Sequence, residues 1–154
     1  MVISKLNTSR ILELVRYIEG CLQELRPFSR MSKEEFLADR RNPPCLESYL
    51  RRALEAMFDI GRHILAKTYA FKGIEYKAIA KQLGERGIVT RELSDILGRM
   101  AGYRNRMVHF YKEVTPEELY AIAAHQLGDI ERFNREIVSF IKAYEEQTRA
   151  KSKP

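Results

Sequence analysis

Arg104 and His109 are the pair whose types and spacing best suit chemistry in this chain. They lie in the run Gly102-Tyr-Arg-Asn-Arg-Met-Val-His-Phe-Tyr111. A neutral histidine can take the proton from a ribose 2′-hydroxyl, because imidazole titrates near working pH. An arginine can hold the scissile phosphate and stabilise charge on its oxygens as the 2′-oxygen attacks. Such a pair would cleave RNA without a metal. The spacing alone does not establish this, since an arginine and a histidine five apart occur by chance in many helices.

The helix that must carry the pair starts near Thr90, a capping residue, and runs toward Tyr111. Ile96, Met100, Tyr103, Met107 and Phe110 form one apolar stripe along it. Leu93, Leu97, Met100 and Met107 or Val108 form a second, and position 104 interrupts that second stripe. A guanidinium beside a core-facing surface is costly unless it meets an anion or a partner, so packing alone does not ask for Arg104. On a continuous helix five residues turn by about 140°, so Arg104 and His109 would not share a face. Either the helix ends near His109 and the side chain turns back, or a second subunit completes the site. Tyr111, seven positions on, returns nearly into line with Arg104.

The remaining elements also read as helices. Ile11, Leu14, Val15, Ile18, Leu22 and Leu25 mark one buried face, with Pro27 expected to end it. Ser32-Lys-Glu-Glu35 reads as a capping box opening a short helix. Asn42-Pro43-Pro44 breaks the chain, and a long helix is expected from about Cys45 to Phe71, with Gly61 allowing another helix to approach closely. Tyr76, Ile79, Ala80 and Leu83 form a brief helix that Gly87 stops. Thr115-Pro-Glu-Glu118 opens a last helix through Tyr144, roughly 30 residues or about 45 Å long. The expected fold is all-α, an up-and-down bundle of four to five main helices. The expected division is one domain over residues 1–147 and a basic, flexible tail over 148–154.

Composition narrows the class. With 154 residues, 45% hydrophobic and 31% charged, the chain can bury a core without disulfides or metal. Cys21 and Cys45 make neither a disulfide framework nor a metal spacing, which suits a reduced, cytoplasmic setting. Neither a signal peptide nor a membrane span is expected. The net charge of +6 leans toward an anionic partner, though part of it sits in the tail. No Gly-rich phosphate loop or HExxH string appears.

Glu55, Asp59 and Arg62 make one polar line on the long helix. They are either carboxylates orienting Arg104 or His109, or a salt-bridge ladder. The ladder is the preferred reading for Glu55, and for Asp59 both stand. Arg40-Arg41, Arg51-Arg52 and Arg106 are solvated charges or guides for RNA. His63 and His125 are isolated and read as ordinary histidines.

The motif Arg104-Asn105-x-x-x-His109-x-Tyr111 resembles the R-x4-6-H signature of HEPN-domain ribonucleases, in the form typical of the HepT family. Glu35-Phe-Leu-Ala-Asp39, Leu54-Glu-Ala-Met-Phe-Asp-Ile-Gly61, Gly87-Ile88 and Leu97-x-x-Met100 extend the resemblance over roughly residues 6 to 142. The resemblance implies a toxin, a metal-independent endoribonuclease leaving a 2′,3′-cyclic phosphate. It implies a homodimer whose two motifs face each other across a cleft. Its partner would be an MntA-type minimal nucleotidyltransferase antitoxin, in a possible higher hetero-oligomer. That partner would use ATP to place AMP on Tyr111; the chain itself would need no cofactor. Arg104 would stabilise the phosphate, His109 act as acid or base, and Asn105 orient one or the other. From the residues alone, Asn105 reads equally as a surface amide and Tyr111 as a core-rim tyrosine. The intact motif favours this over a second reading, a non-catalytic module that binds a nucleotide or serves a nucleotidyltransferase complex.

Overall fold

The computed structural model describes residues 5–109 and 114–152. Among them the chain forms seven helices and no strand: α1 (Thr8–Ser29), α2 (Lys33–Ala38), α3 (Asn42–Tyr69), α4 (Tyr76–Glu85), α5 (Arg91–His109), α6 (Pro116–His125) and α7 (Leu127–Ser152). Four are long and three short, in keeping with a bundle of four to five main helices. The central element is α3, which packs along α1 and also meets α2, α4, α5 and α6. Its inward residues run from Leu46 and Leu50 through Met57 and Phe58 to Ile64 and Leu65, all essentially inaccessible to water.

The caps read from sequence form as hydrogen bonds. Ser32 accepts from the Glu35 N–H at 3.1 Å, and Thr115 from the Glu118 N–H at 3.1 Å. Gly87 takes φ +68°, which a side chain would resist, and the turn after α4 closes through the Ile88 N–H to the Leu83 carbonyl at 3.0 Å.

Three boundaries differ from expectation. Pro27 does not end α1, which continues to Ser29. The proline forfeits the N–H bond to the Gln23 carbonyl, but the next residue, Phe28, is buried edge-on against Phe36 with centroids 5.8 Å apart. The prolines at 43 and 44 do not precede α3 but sit in its first turn, where the N–H groups they lack would have no helical partner. Asn42 anchors that turn by donating to the Phe36 carbonyl at 3.0 Å. The last helix is broken at Gln126 into α6 and α7. Leu119, Ile122, Ala123, Leu127, Ile130, Phe133 and Ile137 are buried on both sides of the break. The three-and-four spacing of these residues runs straight through it, so periodicity could not show it. Beyond the expected domain edge at 147, α7 stays helical to Ser152.

Two contacts fix the elements that hold the motif. Gly61 lets α4 lie close on α3: a Cβ there would come within 2.9 Å of a Leu83 methyl and 3.0 Å of an Ile79 methyl. At the start of α5, Glu136 of α7 accepts from the Thr90 N–H at 2.7 Å, the Thr90 hydroxyl at 3.2 Å and Arg132 Nε at 2.9 Å. Burial alone would raise the Glu136 pKa, but these hydrogen bonds outweigh it and hold the carboxyl below its usual range.

Gly61→Leu should therefore overpack the α3–α4 contact and cost about 1–3 kcal/mol, measured by urea unfolding. Glu136→Gln should cost about 1–3 kcal/mol at neutral pH. Because the folded pKa is depressed, the wild-type advantage should be full above roughly pH 5 and vanish as pH falls through the folded value. Paired thermal melts across that range check the sign: a gap between the two proteins that widens on acidification would contradict it.

Candidate active site

The site is built at the far end of α5 from its Glu136 clamp. Leu93, Leu97, Met100, Ala101 and Met107 bury the inner face of this helix. Arg104 falls on the flank of that face, as the interrupted stripe predicts, and its side chain is only 21% exposed.

An aromatic column receives it. The Phe58 ring, buried on α3, stacks on the Tyr76 ring at the start of α4, with centroids 4.4 Å apart and planes 15° apart. The Arg104 guanidinium lies over the Tyr76 ring, 4.5 Å from its centroid. Glu55 Oε1 accepts from Arg104 Nη2 at 3.4 Å and from Arg51 Nη1 at 3.5 Å. Glu55 thus makes an intrahelical pair and a contact between helices at once. Its Arg51 rung exists, but the same oxygen also reaches across to α5, a contact between helices that intrahelical spacing cannot reveal. Arg104 Nε is buried and has no hydrogen-bond acceptor among the described residues. The guanidinium is thus partly desolvated, held at one edge by a long ion pair, and short of acceptors among the described residues, a state that an anion would complete.

Arg104, Asn105 and His109 line one concave site of about 440 Å³, together with Ile74, Glu75, Tyr76 and Lys77 from the start of α4 and the connector before it. Asn105 and His109 are one helical turn apart and share a face. The long arginine side chain reaches this site from the neighbouring face, so α5 need not bend to bring the three together. His109 is exposed and is the last residue of α5 as described. Tyr111 lies outside the described residues. Ile74 stands 71% exposed and Val108 40% exposed, apolar side chains beside the mouth of the site. Burial pushes the Tyr76 phenol up; Arg104 opposes this, while Asp59 and Glu55 add to it.

Other singled-out residues fall elsewhere. Asp59 pairs with Arg62 at 3.0 Å, the rung of the ladder expected on α3. Arg106 is turned back onto α6, where both guanidinium nitrogens donate to Glu118 at 2.6 and 2.8 Å. Arg41 pairs with Asp39, and Arg52 lies over Tyr49. His63 Nε2 accepts from the Asn7 N–H at 3.3 Å, a structural contact. Two larger grooves, about 540 and 650 Å³, flank α7, but neither contains a residue of the motif. Among the described residues no cluster of histidine, cysteine and carboxylate side chains is placed to hold a metal, and no helix is long and apolar enough to cross a membrane. Sequence reasoning missed Tyr76 and Phe58 as parts of this site. Both fit a helical apolar period, and nothing in that period distinguishes a ring that packs from a ring that carries a cation.

The family described as Ribonuclease HepT-like matches residues 18–137. A tRNA nuclease HepT from Aphanizomenon flos-aquae is 28% identical over 137 residues, covering 88% of this chain and 90% of the relative. An mRNA nuclease HepT from Shewanella oneidensis is 32% identical over 84 residues, covering 54% and 63%. Among solved structures, the tri-AMPylated HEPN toxin of Shewanella oneidensis, in complex with its MNT antitoxin, superposes with a TM-score of 0.76. It is 25% identical and covers 84% of this chain and 97% of that one. A cytosolic protein of Bacillus subtilis, YutE, shares the fold at 21% identity, with a TM-score of 0.76 and coverage of 94% and 95%. With the family match covering residues 18–137, most of its length, the chain belongs to the HepT-like ribonuclease family.

Proposed function

We propose that this chain is the ribonuclease toxin of a toxin–antitoxin pair of the type VII kind, cutting tRNA or mRNA in the cytoplasm at the Arg104–His109 site. The observation that carries the reading is the convergence of Arg104, Asn105 and His109 on one cavity, with the Arg104 Nε buried and lacking an acceptor among the described residues. The relatives named as tRNA and mRNA nucleases support the substrate class. In the proposed reaction His109 takes the proton of a ribose 2′-hydroxyl. The 2′-oxygen attacks phosphorus, the bond to the 5′-oxygen breaks, and that oxygen takes a proton from the imidazolium or from solvent, giving a 2′,3′-cyclic phosphate and a 5′-hydroxyl. Arg104 holds the phosphate oxygens throughout, and Asn105 orients phosphate or imidazole. No metal is needed in this scheme, because the guanidinium supplies the charge stabilisation.

The active form is proposed to be a homodimer. His109 is exposed, and Ile74 and Val108 present apolar surface beside the cavity, where a second copy would cover them and bring its own motif opposite. The antitoxin is proposed to be a minimal nucleotidyltransferase of the MntA kind, since the AMPylated Shewanella toxin bound to its MNT antitoxin shares this fold. It would move AMP from ATP to the phenol oxygen of Tyr111 and release pyrophosphate. The added phosphate and base would put negative charge and bulk two residues from His109 in sequence.

Expressed without the antitoxin, the wild-type protein should arrest growth and degrade tRNA or mRNA. The purified protein should cut RNA in the presence of a chelator. His109→Ala should be harmless and slower by about 10²–10⁴-fold. Equal harmlessness of the two proteins, with neither cutting RNA, would remove the ribonuclease reading. After incubation with antitoxin and ATP, peptide mass spectrometry should find AMP on Tyr111. Modification that persists undiminished in Tyr111→Phe would place the acceptor elsewhere.

A further inference from the structure

We infer that Tyr76 is the positioning residue for Arg104: its ring face, backed by Phe58, sets where the guanidinium points. The inference rests on the ribonuclease reading of the Arg104 site. Three observations lead to it. First, Arg104 leaves α5 on a different face from Asn105 and His109, so something must hold its long side chain toward their cavity. Tyr76 lines that cavity and lies under the guanidinium, 4.5 Å from ring centroid to guanidinium carbon. Second, the ion pair to Glu55 cannot fix the orientation. It is a single contact of 3.4 Å, made by an oxygen that also serves Arg51. Third, Tyr76 is itself packed from behind. Phe58, 1% exposed, covers its other face, and Ile79 and Leu83 of the same helix are seated on Gly61.

The mode of contact suits a phosphate-binding arginine. A carboxylate holds a guanidinium by its N–H edge and consumes the donors that a phosphate needs. An aromatic ring holds it by its flat face through cation–π attraction and leaves the edge donors available. Tyr76 contributes the ring to this contact; the phenol hydroxyl takes no part in it. The chemistry therefore demands a π face at position 76, not a tyrosine.

The test uses the full-length protein, bulk tRNA as substrate and a chelator in the buffer, with single-turnover rates at saturating enzyme and thermal melts for every variant. Tyr76→Phe should cut at close to the wild-type rate. Tyr76→Met keeps an apolar side chain against Phe58 but removes the π face, and should cut about 10- to 100-fold more slowly, the scale expected of a misplaced catalytic group. Replacing Tyr76 with phenylalanines of increasing ring fluorination keeps the shape while draining the ring face of negative charge. The rate should fall stepwise along that series with little change in melting temperature, which keeps the question answerable should Tyr76→Met fail to fold. A flat series, or equal losses in Tyr76→Phe and Tyr76→Met, would overturn the inference. His109→Ala runs alongside: if it cuts as fast as wild type, the ribonuclease reading of the site falls, and the positioning role falls with it. If His109→Ala is dead while the fluorinated series is flat, only the role of Tyr76 is lost.

Discussion

The cation–π contact between the Arg104 guanidinium and the Tyr76 ring is the constraint around which this end of the molecule is arranged. A cation one-fifth exposed beside the core costs free energy unless its surroundings compensate. Here the compensation comes from three helices at once: Phe58 and Glu55 on α3, Tyr76 on α4, and α5 itself. The column forms only if α4 lies tightly on both neighbours. Gly61 grants the approach on the α3 side. On the α5 side Gly84 faces Ser94, whose hydroxyl donates to the Ala80 carbonyl at 2.7 Å. Small residues far from the chemistry thus set the height of the ring on which the arginine rests.

α5 is held at both ends, and the two clamps differ in kind. At its start, Glu136 and Arg132 of α7 gather the Thr90 cap and Glu92 into a charged network. Near its finish, Arg106 is drawn onto Glu118 of α6. Between the clamps, Arg104 faces α4 and the core. The chain therefore separates its arginines by duty. Arg106 spends its donors on a carboxylate and fixes the helix. Arg104 is steadied mostly by a ring face, which leaves donors for a ligand. Two like residues, two apart in sequence, differ in chemistry because they face different neighbours.

Glu55 shows where reading a sequence one helix at a time loses information. Its spacing to Arg51 and to the Asp59–Arg62 pair describes a surface ladder, and those rungs exist. The contact with Arg104 comes from a helix 49 positions away in sequence. Gln126 makes the complementary point. The hydrophobic phase of α6 continues unbroken into α7, so burial has the same pattern on a straight helix and on two helices joined by a short turn. Pro27 was misleading for a third reason: proline destabilises a helix locally, whereas the burial of Phe28 that carries the last turn onward is a tertiary term.

By itself the sequence determined the helical class, the caps, the inward faces of α1, α3, α5 and α7, and the motif Arg104-Asn105-x-x-x-His109. These follow from local rules: the 3.6-residue period, the hydrogen-bonding habits of Ser32 and Thr115, and residue types whose chemistry is intrinsic. It also located the oddity of Arg104, a charge set on an apolar stripe. What it left open was how that charge and His109 could meet when their positions diverge by about 140° on one helix. Only the tertiary structure decided this. It brought the start of α4 against the end of α5, so that Arg104, Asn105 and His109 line one cavity, and gave the arginine an aromatic seat. Contacts between distant segments depend on how closely and at what angle helices pack, and no periodicity within a single helix encodes them.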